Sequence, residues 1–379
     1  MKFSAKNEKM PTILHTESSR GWGGQEIRIV QESLEFIKRG YRMMIACRPD
    51  SKIFTGAKEK KIPAFALPMR ASIDPLASMH CMRILKNNGI DLLHTHSSTD
   101  SWVCSPAARK LGLPVVRSRH VSTPISEGFL SRFLYMKLAD RVITSGDTIR
   151  REMIEVNGYD PQRIFSIPAG IDEKRFSREM WPDDVRGELN IGKDDYLIGI
   201  VSILRSWKGH PYLLEAFKSL QDKIPNLKLV IAGSGPQERN LRNFIQENGL
   251  TGKAIMTGFR EDVPRILKAL DLFILPSFSN EATSQVIPQA MAMGVFVIST
   301  SAGGIGEVVK DGETGRLIPP RDVPALSEAI LWAYGHREEC REMARKAREL
   351  VLKEFTLTRM IEKTESVYLD LLDGPRAKP

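Results

Sequence analysis

The sequence predicts an α/β protein with two doubly wound domains, each a parallel sheet covered by helices on both faces. Short apolar stretches that end in Gly, Pro or Ser alternate with amphipathic helical stretches, which is the pattern of repeated βαβ units. A chain of 379 residues exceeds one typical domain, and the charged stretch 177–195 separates two such series. We therefore expect one domain at residues 1–178, a second at 196–354, and a C-terminal segment with an amphipathic helix at 355–379.

Each predicted strand is a short apolar run that leads into a loop. The strands of the first domain span residues 12–15, 41–47, 64–67, 91–94 and 141–145, with another that begins at 115. The strands of the second domain span residues 197–203, 227–232, 254–257, 271–275 and 295–299. Because a doubly wound sheet binds its ligand at the carboxyl ends of the strands, the loops after the second series should converge on one crevice.

The composition narrows the class of protein. Hydrophobic residues make up 42% of the chain and charged residues 27%, as in ordinary soluble proteins. No apolar run approaches the ~20 residues that span a membrane, and the apolar part of the N-terminus is too short for a secretory signal. The four cysteines are scattered without a C-x-x-C pair, which argues against a zinc site and fits a reduced, cytoplasmic setting.

Positive charge is concentrated in the first half of the chain. Residues 1–180 carry 29 Lys and Arg against 19 Asp and Glu, whereas the other residues carry 26 against 27. An anionic partner would explain this excess: a membrane surface, a phosphorylated lipid or glycan, or nucleic acid. A solvated basic surface without any partner is the alternative interpretation.

The stretch 280–294 has the pattern of a loop and helix that can hold a phosphate. It follows the apolar run 271–277, and its own apolar residues recur at helical spacing up to Gly294, a typical helix stop. Pro288 is tolerated only in the first turn, where amide groups have no partner in the helix and suit a phosphate. The helix should therefore start near Ser284 or Gln285, with Thr283 or Ser284 as its cap.

An acidic residue lies beside this predicted phosphate site. Glu281 is in the loop, and Gln289 follows at the start of the helix. A carboxylate next to a phosphate must serve another purpose, for which holding sugar hydroxyls is the obvious candidate. The stretch resembles the Glu-x7-Glu motif of the retaining glycosyltransferases of family 4, which have the two-domain GT-B fold. Glu281 matches the first motif Glu, Gln289 stands for the second, and Ala282-Thr283-Ser284 stands for the family's Gly-Phe-Gly.

Further elements match the family in order, from Gly23 to about Leu372. They are Gly23-Gly24 with Glu26 after a predicted strand, the Asp-x-x-His-x-His run 91–96, the run 163–176, Lys208-Gly209 after another strand, and the glycine element 303–315. In the run 91–96, His94 has the position of a core residue, whereas His96 is better placed to face a ligand. Arg205 is three residues before Lys208, whereas the family spaces this pair five apart.

The resemblance implies a GT-B fold, in which two Rossmann-like domains face a cleft and the final helix crosses back to the first domain. It implies catalytic roles for Glu281 and for His120, which follows the strand that begins at residue 115. The donor sugar nucleotide is expected to contact a set of loop residues: Gly23, Gly24, Arg205, Lys208, Gly233, Gly235, Phe259, Arg260, Thr283, Ser284, Gln285, Val286 and Gln289. On the acceptor side, we expect His96 and Arg119.

The predicted function is that of a retaining glycosyltransferase. It would move a sugar from a nucleoside-diphosphate sugar to a hydroxyl of a glycan or lipid-linked acceptor, in the synthesis of bacterial surface polysaccharide or lipopolysaccharide. No Asp-x-Asp occurs in the chain, so we expect neither a metal nor another cofactor. Arg205 and Lys208 would neutralise the leaving diphosphate instead. We expect a cytoplasmic protein that can contact the inner membrane surface through its basic first domain, and no nucleic-acid partner.

Two other functions fit the same residues. A nucleotide-sugar epimerase would act on the donor alone, without an acceptor. A non-catalytic protein that binds nucleotide sugars is the other, because Gln289 and the run 282–284 depart from the family pattern. A dehydrogenase is disfavoured, since no G-x-G-x-x-G followed by an acidic residue opens either half.

Overall fold

The computed structural model describes residues 10–279 and 281–373, which form two compact units. The first unit consists of the described residues up to Pro168 together with those from Met360 onward, and the second consists of Ala169–Arg359. Each unit is built around its own parallel sheet with helices alongside, so the predicted α/β class is confirmed. The part of the predicted C-terminal segment beyond residue 373 lies outside the described residues.

A seven-stranded parallel sheet forms the centre of the first unit. Its strands are β1 (Thr12–Glu17), β2 (Arg42–Cys47), β3 (Ala64–Ala66), β4 (Leu92–Thr95), β5 (Val115–Arg119), β6 (Arg141–Thr144) and β7 (Ile164–Ser166). They lie in the order β3-β2-β1-β4-β5-β6-β7. The winding reverses between β1 and β4, and the carboxyl ends of such neighbours are where doubly wound sheets bind ligands.

Helices connect these strands in turn. They are α1 (Gly24–Lys38), α2 (Lys52–Glu59), α3 (Pro75–Asn87), α4 (Ser98–Lys110), α5 (Phe129–Met136) and α6 (Asp147–Glu155), followed by a 3₁₀ turn at Pro161–Arg163. β1 is buried along its whole length although it contains His15, Thr16 and Glu17. Buried parallel strands normally consist of Val, Ile and Leu. The polar residues of β1 therefore indicate that this part of the sheet has a role besides core packing.

The second unit has a six-stranded parallel sheet. Its strands are β8 (Tyr196–Val201), β9 (Leu227–Ala232), β10 (Ala254–Gly258), β11 (Leu272–Leu275), β12 (Phe296–Thr300) and β13 (Arg316–Ile318). They lie in the order β10-β9-β8-β11-β12-β13, so β8 and β11 are neighbours at the point where the winding reverses. The predicted alternation is therefore present in this unit too, and it places the loops after β8 and β11 side by side.

The helices of the second unit surround this sheet. They are α7 (Val185–Glu188), α8 (His210–Ser219), α9 (Glu238–Glu247), α10 (Val263–Ala269), α11 (Val286–Ala292), α12 (Ile305–Val308), α13 (Val323–Gly335) and α14 (Arg337–Glu354), with 3₁₀ turns at Arg178–Met180 and Ser206–Lys208. The last helix, α15 (Leu357–Asp373), belongs to the first unit from Met360 onward. Its Tyr368 is fully buried there, so the predicted return of the final helix to the first domain is confirmed.

The elements of the fold differ from expectation in the predicted linker and in two short strands. The stretch 177–195, expected to be a linker, packs onto the second unit, where Val185 and Ile191 enter the apolar core. The division of the chain accordingly falls at Pro168 rather than after residue 178. β7 and β13, of three residues each, were not predicted, because so short a run has no measurable periodicity.

No helix among the described residues is both long and apolar enough to cross a membrane.

Candidate active site

The second unit brings a lysine and a glutamate together at the carboxyl ends of β8 and β11. Lys208 ends the 3₁₀ turn after β8, and its Nζ donates to Oε1 of Glu281 at 2.5 Å. The side chains are 15% and 5% exposed, so the pair is largely shielded from water. The two loops are also joined through the backbone, because the N–H of Phe278 donates to the carbonyl of Trp207 at 2.9 Å. Both residues were predicted as site residues, and the fold makes them neighbours.

Glu281 is fixed on two sides. Its carboxylate also accepts a hydrogen bond from Oγ of the buried Ser277, at 2.7 Å. On the backbone side, the glycine loop after β12 approaches so closely that a Cβ on Gly303 would lie 1.9 Å from the carbonyl oxygen of Glu281. Gly303 also has a positive φ of 58°, and the N–H of Gly304 donates to the same carbonyl at 3.2 Å. The glycine element predicted from 303–315 therefore supports the glutamate directly.

A methyl group at Gly303 is expected to destabilise the second unit by at least about 2 kcal/mol, since it combines a left-handed backbone with a backbone clash. Thermal unfolding of Gly303→Ala, followed by circular dichroism, measures this. Gly306→Ala is the matched control, because its Cβ would have no heavy atom closer than 4.0 Å. Equal melting temperatures for the two variants would contradict the account of how Glu281 is held.

The helix after Glu281 begins slightly later than predicted. α11 starts at Val286 with Gln285 as its N-cap, and Pro288 lies in its first turn as expected. Gln285 makes no capping hydrogen bond with its side chain, and neither Thr283 nor Ser284 is at the N-cap position expected for it. Ser284 instead has a positive φ of 33°, which is a strained backbone for a serine. Gln289 is half-buried in the first turn, and the helix ends before Gly294, which has the predicted left-handed conformation.

The other residues predicted to bind the sugar donor differ in their exposure and in the partners that they already have. Arg205 is exposed and its guanidinium lies over the ring of Trp207, 5.0 Å from the centroid. Phe259 is exposed at the end of β10. Arg260, next to it, is held by Glu188 and Asp262, whose carboxylates raise the pKa of Arg260 above its usual value. Its guanidinium therefore already has two anionic partners within the second unit.

The loop after β9 carries the two remaining glycines of this unit. Gly233 and Gly235 both have positive φ angles. The carbonyl of Ser234 between them accepts from the N–H of Leu204 at 3.0 Å, which ties this loop to the loop after β8. Three neighbouring strand ends, those of β9, β8 and β11, are thus connected through their loops.

In the first unit, the predicted glycine turn follows β1 and is stabilised by acidic side chains. The N–H of Gly23 donates to Oε2 of Glu26 at 2.8 Å, at the exposed start of α1 together with Gly24. The carboxylate of Glu17 accepts from the N–H of Ser19 at 2.7 Å and from the side chain of Gln25. Burial raises the pKa of Glu17. The backbone N–H of Gly23, which was expected to contact a phosphate, is therefore already hydrogen-bonded to Glu26.

Four histidines gather at the carboxyl ends of β1, β4 and β5. His15 and His94 are fully buried in their strands, His96 is buried just beyond β4, and His120 is half-buried just beyond β5. Nδ1 of His15 lies 2.8 Å from Nε2 of His96, and Nδ1 of His96 lies 3.0 Å from Nε2 of His120. His96 was expected to face a ligand, but it lies inside the unit between two other imidazoles.

The cluster continues to the last helix. The hydroxyl of Tyr368 lies 2.6 Å from Nδ1 of His94 and 3.4 Å from Nε2 of His15. Nε2 of His94 in turn lies 2.8 Å from Oγ of Ser118. The interpretation of His94 as a core residue is confirmed. It is a core residue with both ring nitrogens hydrogen-bonded, as buried polar groups must be.

All four histidines are held neutral. Burial, and after it the nearby charge of Arg28, lowers the pKa of His15 to about 3. Burial is also the main cause that holds the pKa of His94, His96 and His120 well below the usual value, with smaller contributions from neighbouring imidazoles and from Arg28. A cation in this cluster would lose its hydration without gaining an anionic partner.

Nitrogen atoms of His15, His94 and His96 all lie within 4.8 Å of one another, close enough to be tested as a metal set. In a metal site, however, the lone pairs of the ligands converge on one point. Here the rings of His94 and His96 are stacked, with centroids 4.2 Å apart, and the nitrogens are hydrogen-bonded to one another or to hydroxyls. The geometry fits a hydrogen-bonded chain better than it fits a metal centre.

A neutral imidazole donates with one nitrogen and accepts with the other. The donor and acceptor roles along this series of hydrogen bonds are therefore coupled. Either every group donates towards His120, or every group donates towards Ser118. In one direction, Nε2 of His120 donates and its Nδ1 accepts, and in the other direction these roles are exchanged. The buried chain thus sets the tautomer that His120 presents.

Asp100, His15 and Tyr368 were not predicted from the sequence as site residues. Asp100 accepts from Oγ1 of Thr16 and from the N–H groups of His96 and Ser97, at 2.8 to 2.9 Å, and orders the loop after β4. Arg119, expected on the acceptor side, is the last residue of β5 and donates to the hydroxyl of Tyr135 at 2.9 Å. A polar residue inside a predicted buried strand, such as His15, was the available signal.

Comparison with known proteins agrees with this architecture. The family model described as "Glycosyl transferases group 1" matches residues 183–350, and the model described as "Glycosyltransferase Family 4" matches residues 22–175. Among solved structures, a glycosyltransferase from Rickettsia africae superposes with a TM-score of 0.88 at 20% identity, over 97% of this chain and 100% of that one. Anabaena HepE in complex with UDP and glucose superposes with a TM-score of 0.83 at 20% identity, over 95% and 100%.

Curated relatives are similar over most of both sequences. The UDP-Gal:alpha-D-GlcNAc-diphosphoundecaprenol alpha-1,3-galactosyltransferase of Escherichia coli is 26% identical over 76% of this chain and 78% of its own. The phosphatidyl-myo-inositol mannosyltransferase of Mycobacterium leprae is 26% identical over 82% and 83%. The family models, the relatives and the two parallel sheets all lead to the same assignment. The chain belongs to the group 1, family 4 glycosyltransferases and is an enzyme of the GT-B fold.

Proposed function

We propose that this glycosyltransferase moves a sugar from a nucleoside-diphosphate sugar to a hydroxyl of a glycan or lipid-linked acceptor, with retention of the anomeric configuration. The observation that carries the proposal is the shielded pair of Lys208 and Glu281 at the ends of β8 and β11. Sugar transfer from such a donor needs a cation for the leaving diphosphate and a hydrogen-bond acceptor for the sugar hydroxyls. The pair supplies one of each within a single hydrogen bond.

In the proposed complex, the ammonium of Lys208 moves from the carboxylate of Glu281 to a diphosphate oxygen. The carboxylate then accepts hydrogen bonds from the sugar. Arg205, which is exposed beside Trp207, adds a second positive charge as the diphosphate leaves. The remaining donor contacts are assigned to the backbone and side chains of the loops at the strand ends: Gly233, Gly235, Phe259, Thr283, Ser284, Gln285, Val286 and Gln289. These charges make a metal unnecessary, so a chelator should leave the rate unchanged.

The relatives support both substrates of this proposal. One is named for a UDP-galactose donor and a diphosphoundecaprenol acceptor, and another for phosphatidyl-myo-inositol. We therefore expect UDP to be the preferred nucleotide and the acceptor to be lipid-linked, in the synthesis of a bacterial surface glycan. The excess of Lys and Arg in residues 1–180 would favour an anionic membrane surface. His120 is assigned to the donor sugar.

Calorimetric titration with UDP, GDP and ADP tests the donor half of the proposal. One nucleotide should bind selectively, and Lys208→Ala should weaken its binding by about tenfold or more, which corresponds to ~1.4 kcal/mol. Lys223→Ala is the control, because it removes an exposed lysine from the same unit. If none of the three nucleotides binds, the assignment of these loops to a sugar nucleotide is overturned.

The stereochemistry is tested separately by proton NMR of the product formed from the donor that binds. The anomeric coupling should report the same configuration as in the donor. Inversion would overturn the retaining mechanism but leave the transferase. Conversion of the donor sugar without any acceptor would instead favour an epimerase.

A further inference from the structure

The first unit contains a cavity of about 390 Å³ beside the end of β5. Among the predicted site residues, only Arg119 lines it. The lining residues that matter here come from the α3 and α4 region, β5 and α5: Ile73, Trp102, Arg117, Arg119, Leu130 and Tyr135. A cavity of this size falls within the range of small-molecule sites.

Arg117 is the least satisfied cation of this cavity. Its residue is 5% exposed, yet Nε and Nη1 have no hydrogen-bond partner within the described part of the chain. Its Nη2 lies 3.3 Å from the hydroxyl of Tyr135, and its guanidinium lies over the same ring at 4.1 Å. A buried guanidinium with unused donors is costly. Asp100 feels the charge of Arg117, but its oxygens are already bonded to Thr16 and to backbone N–H groups.

A second guanidinium lies close to the first. Nη1 of Arg119 donates to the hydroxyl of Tyr135 at 2.9 Å, so one tyrosine connects two arginines. Two neighbouring cations repel each other unless an anion lies between or beside them. Ser98, Ser126 and Ser131 add hydroxyl groups to the lining. Phosphate is the anion that a pair of arginines and hydroxyl donors suits best.

Apolar side chains form most of the remaining lining and part of the rim. Ile73 and Leu130 both line it, although their residues are 85% and 65% exposed. Phe129, also exposed, stacks on Phe133, which stacks on Trp102 of the cavity wall. Single exposed apolar residues are common, but a group of them around one opening indicates a binding surface. An inorganic anion would leave this surface uncovered.

We propose that this cavity binds the phosphate of an amphiphilic acceptor, in which the sugar that carries the accepting hydroxyl is joined through a phosphate or diphosphate to a long apolar alcohol. The phosphate lies against Arg117 and Arg119, and the first part of the apolar chain covers Leu130 and Ile73. The inference rests on the proposed function, because it names the class of acceptor that the transferase uses. The binding site itself lies entirely within the first unit and can be tested without a donor.

The test is a calorimetric titration of the full chain with farnesyl phosphate, below the concentration at which it forms micelles. Inorganic phosphate and farnesol are titrated in parallel. Farnesyl phosphate should bind at least tenfold more tightly than either, because only it satisfies both the arginines and the apolar rim. Equal binding of farnesol would overturn the role of the arginines, and equal binding of inorganic phosphate would overturn the role of the apolar chain.

Variants locate the binding site. Arg117→Gln should weaken the binding of farnesyl phosphate by about tenfold or more, in keeping with the loss of a charge-assisted contact. Arg42→Gln, which removes an exposed arginine of the same unit, should leave it unchanged. Leu130→Ser changes an exposed residue and therefore tests the site even if Arg117→Gln does not fold. It should weaken farnesyl phosphate but not inorganic phosphate. Unchanged affinity in both Arg117→Gln and Leu130→Ser would overturn the proposal.

The two proposals can fail independently. Binding of UDP without binding of farnesyl phosphate would overturn this inference and leave the proposed donor site intact. Binding of farnesyl phosphate without any nucleotide would support the cavity and overturn the proposed function. A change of Trp102 fluorescence on addition of farnesyl phosphate, absent in Trp102→Phe, provides a second readout, because this tryptophan lines the cavity.

Discussion

Replacing Lys208 by alanine is expected to lower the rate of glycosyl transfer by about 10²- to 10³-fold, the usual effect of removing one group that stabilises developing charge. It should also destabilise the second unit by about 3 kcal/mol, because the carboxylate of Glu281 would be left buried without its cation. Ser277 would remain as a hydrogen-bond donor, which keeps the loss of stability at the lower end of the usual range. The rate is measured with the donor that binds, and the stability by urea unfolding.

A double variant separates these two effects. In Lys208→Ala/Glu281→Gln, no unpaired carboxylate remains, so most of the lost stability should return. Transfer should not return, since the cation for the diphosphate is still missing. Lys223→Ala serves as the control for both measurements, because it is exposed in the same unit. Recovery of transfer in the double variant would show that the pair has only a structural role.

The parts of this site that were predictable are those with a local pattern. Lys208 and Glu281 each follow an apolar strand, and Gly209 accompanies the lysine. Gly209 has a φ of 80°, and a Cβ there would lie 2.0 Å from the carbonyl of Pro276. Only glycine adopts such a backbone without strain, so Gly209 in the sequence indicates this tight turn. Alternation of strands and helices then implies that the loops after β8 and β11 are close, by the rule for doubly wound sheets.

The parts that were not predictable depend on contacts between distant residues. Tyr368 meets His94 and His15 across almost the whole length of the chain, and nothing near Tyr368 in the sequence indicates it. Likewise, Arg117 reads as a residue of a loop that follows Val116, whereas β5 continues to Arg119 and buries it. In both cases burial, rather than residue type, creates the chemistry. Burial is a property of the assembled sheet and is not encoded locally.

The N-cap preferences of residue types also predicted the wrong N-cap for α11. Thr283 and Ser284 are among the preferred N-cap residues, but the cap is Gln285. The loop that carries Glu281 is tied to Gly303 and Gly304, and this close approach sets the path of the chain before the helix. A tertiary contact therefore overrides the intrinsic preference of two side chains.

Acidification is expected to destabilise the first unit, because its histidines are buried without charge. The folded-state pKa of His15 is about 3, and those of His94, His96 and His120 are also far below 6.5. As the pH falls below 6.5, the unfolded chain takes up protons that the folded chain refuses, so the free energy of unfolding decreases. Between pH 7 and 5.5, this costs about 1.3 kcal/mol for each such histidine.

Two buried carboxyl groups act in the opposite direction. Burial, and after it the charge of Glu17, raises the pKa of Asp100 to about 7, and burial also raises the pKa of Glu17. Both groups bind protons in the folded state before they do so in the unfolded state, so each stabilises the fold as the pH falls. For Asp100, this amounts to about 1.6 kcal/mol between pH 7 and 5.5. Because four histidines oppose two carboxyl groups, we expect a net loss of stability over this interval.

Urea unfolding at pH 7 and 5.5 measures this loss, and one variant isolates the cluster. His15→Gln keeps hydrogen-bonding groups but does not titrate, so the difference between the two pH values should shrink by about 1.3 kcal/mol. His80→Gln, which changes an exposed histidine of the same unit, should leave the difference unchanged. Asp100→Asn should enlarge it, because a stabilising proton uptake is removed. If His15→Gln leaves the difference between the two pH values unchanged, His15 is not held neutral in the folded state, and the hydrogen-bonded chain that sets the tautomer of His120 would then have to be abandoned.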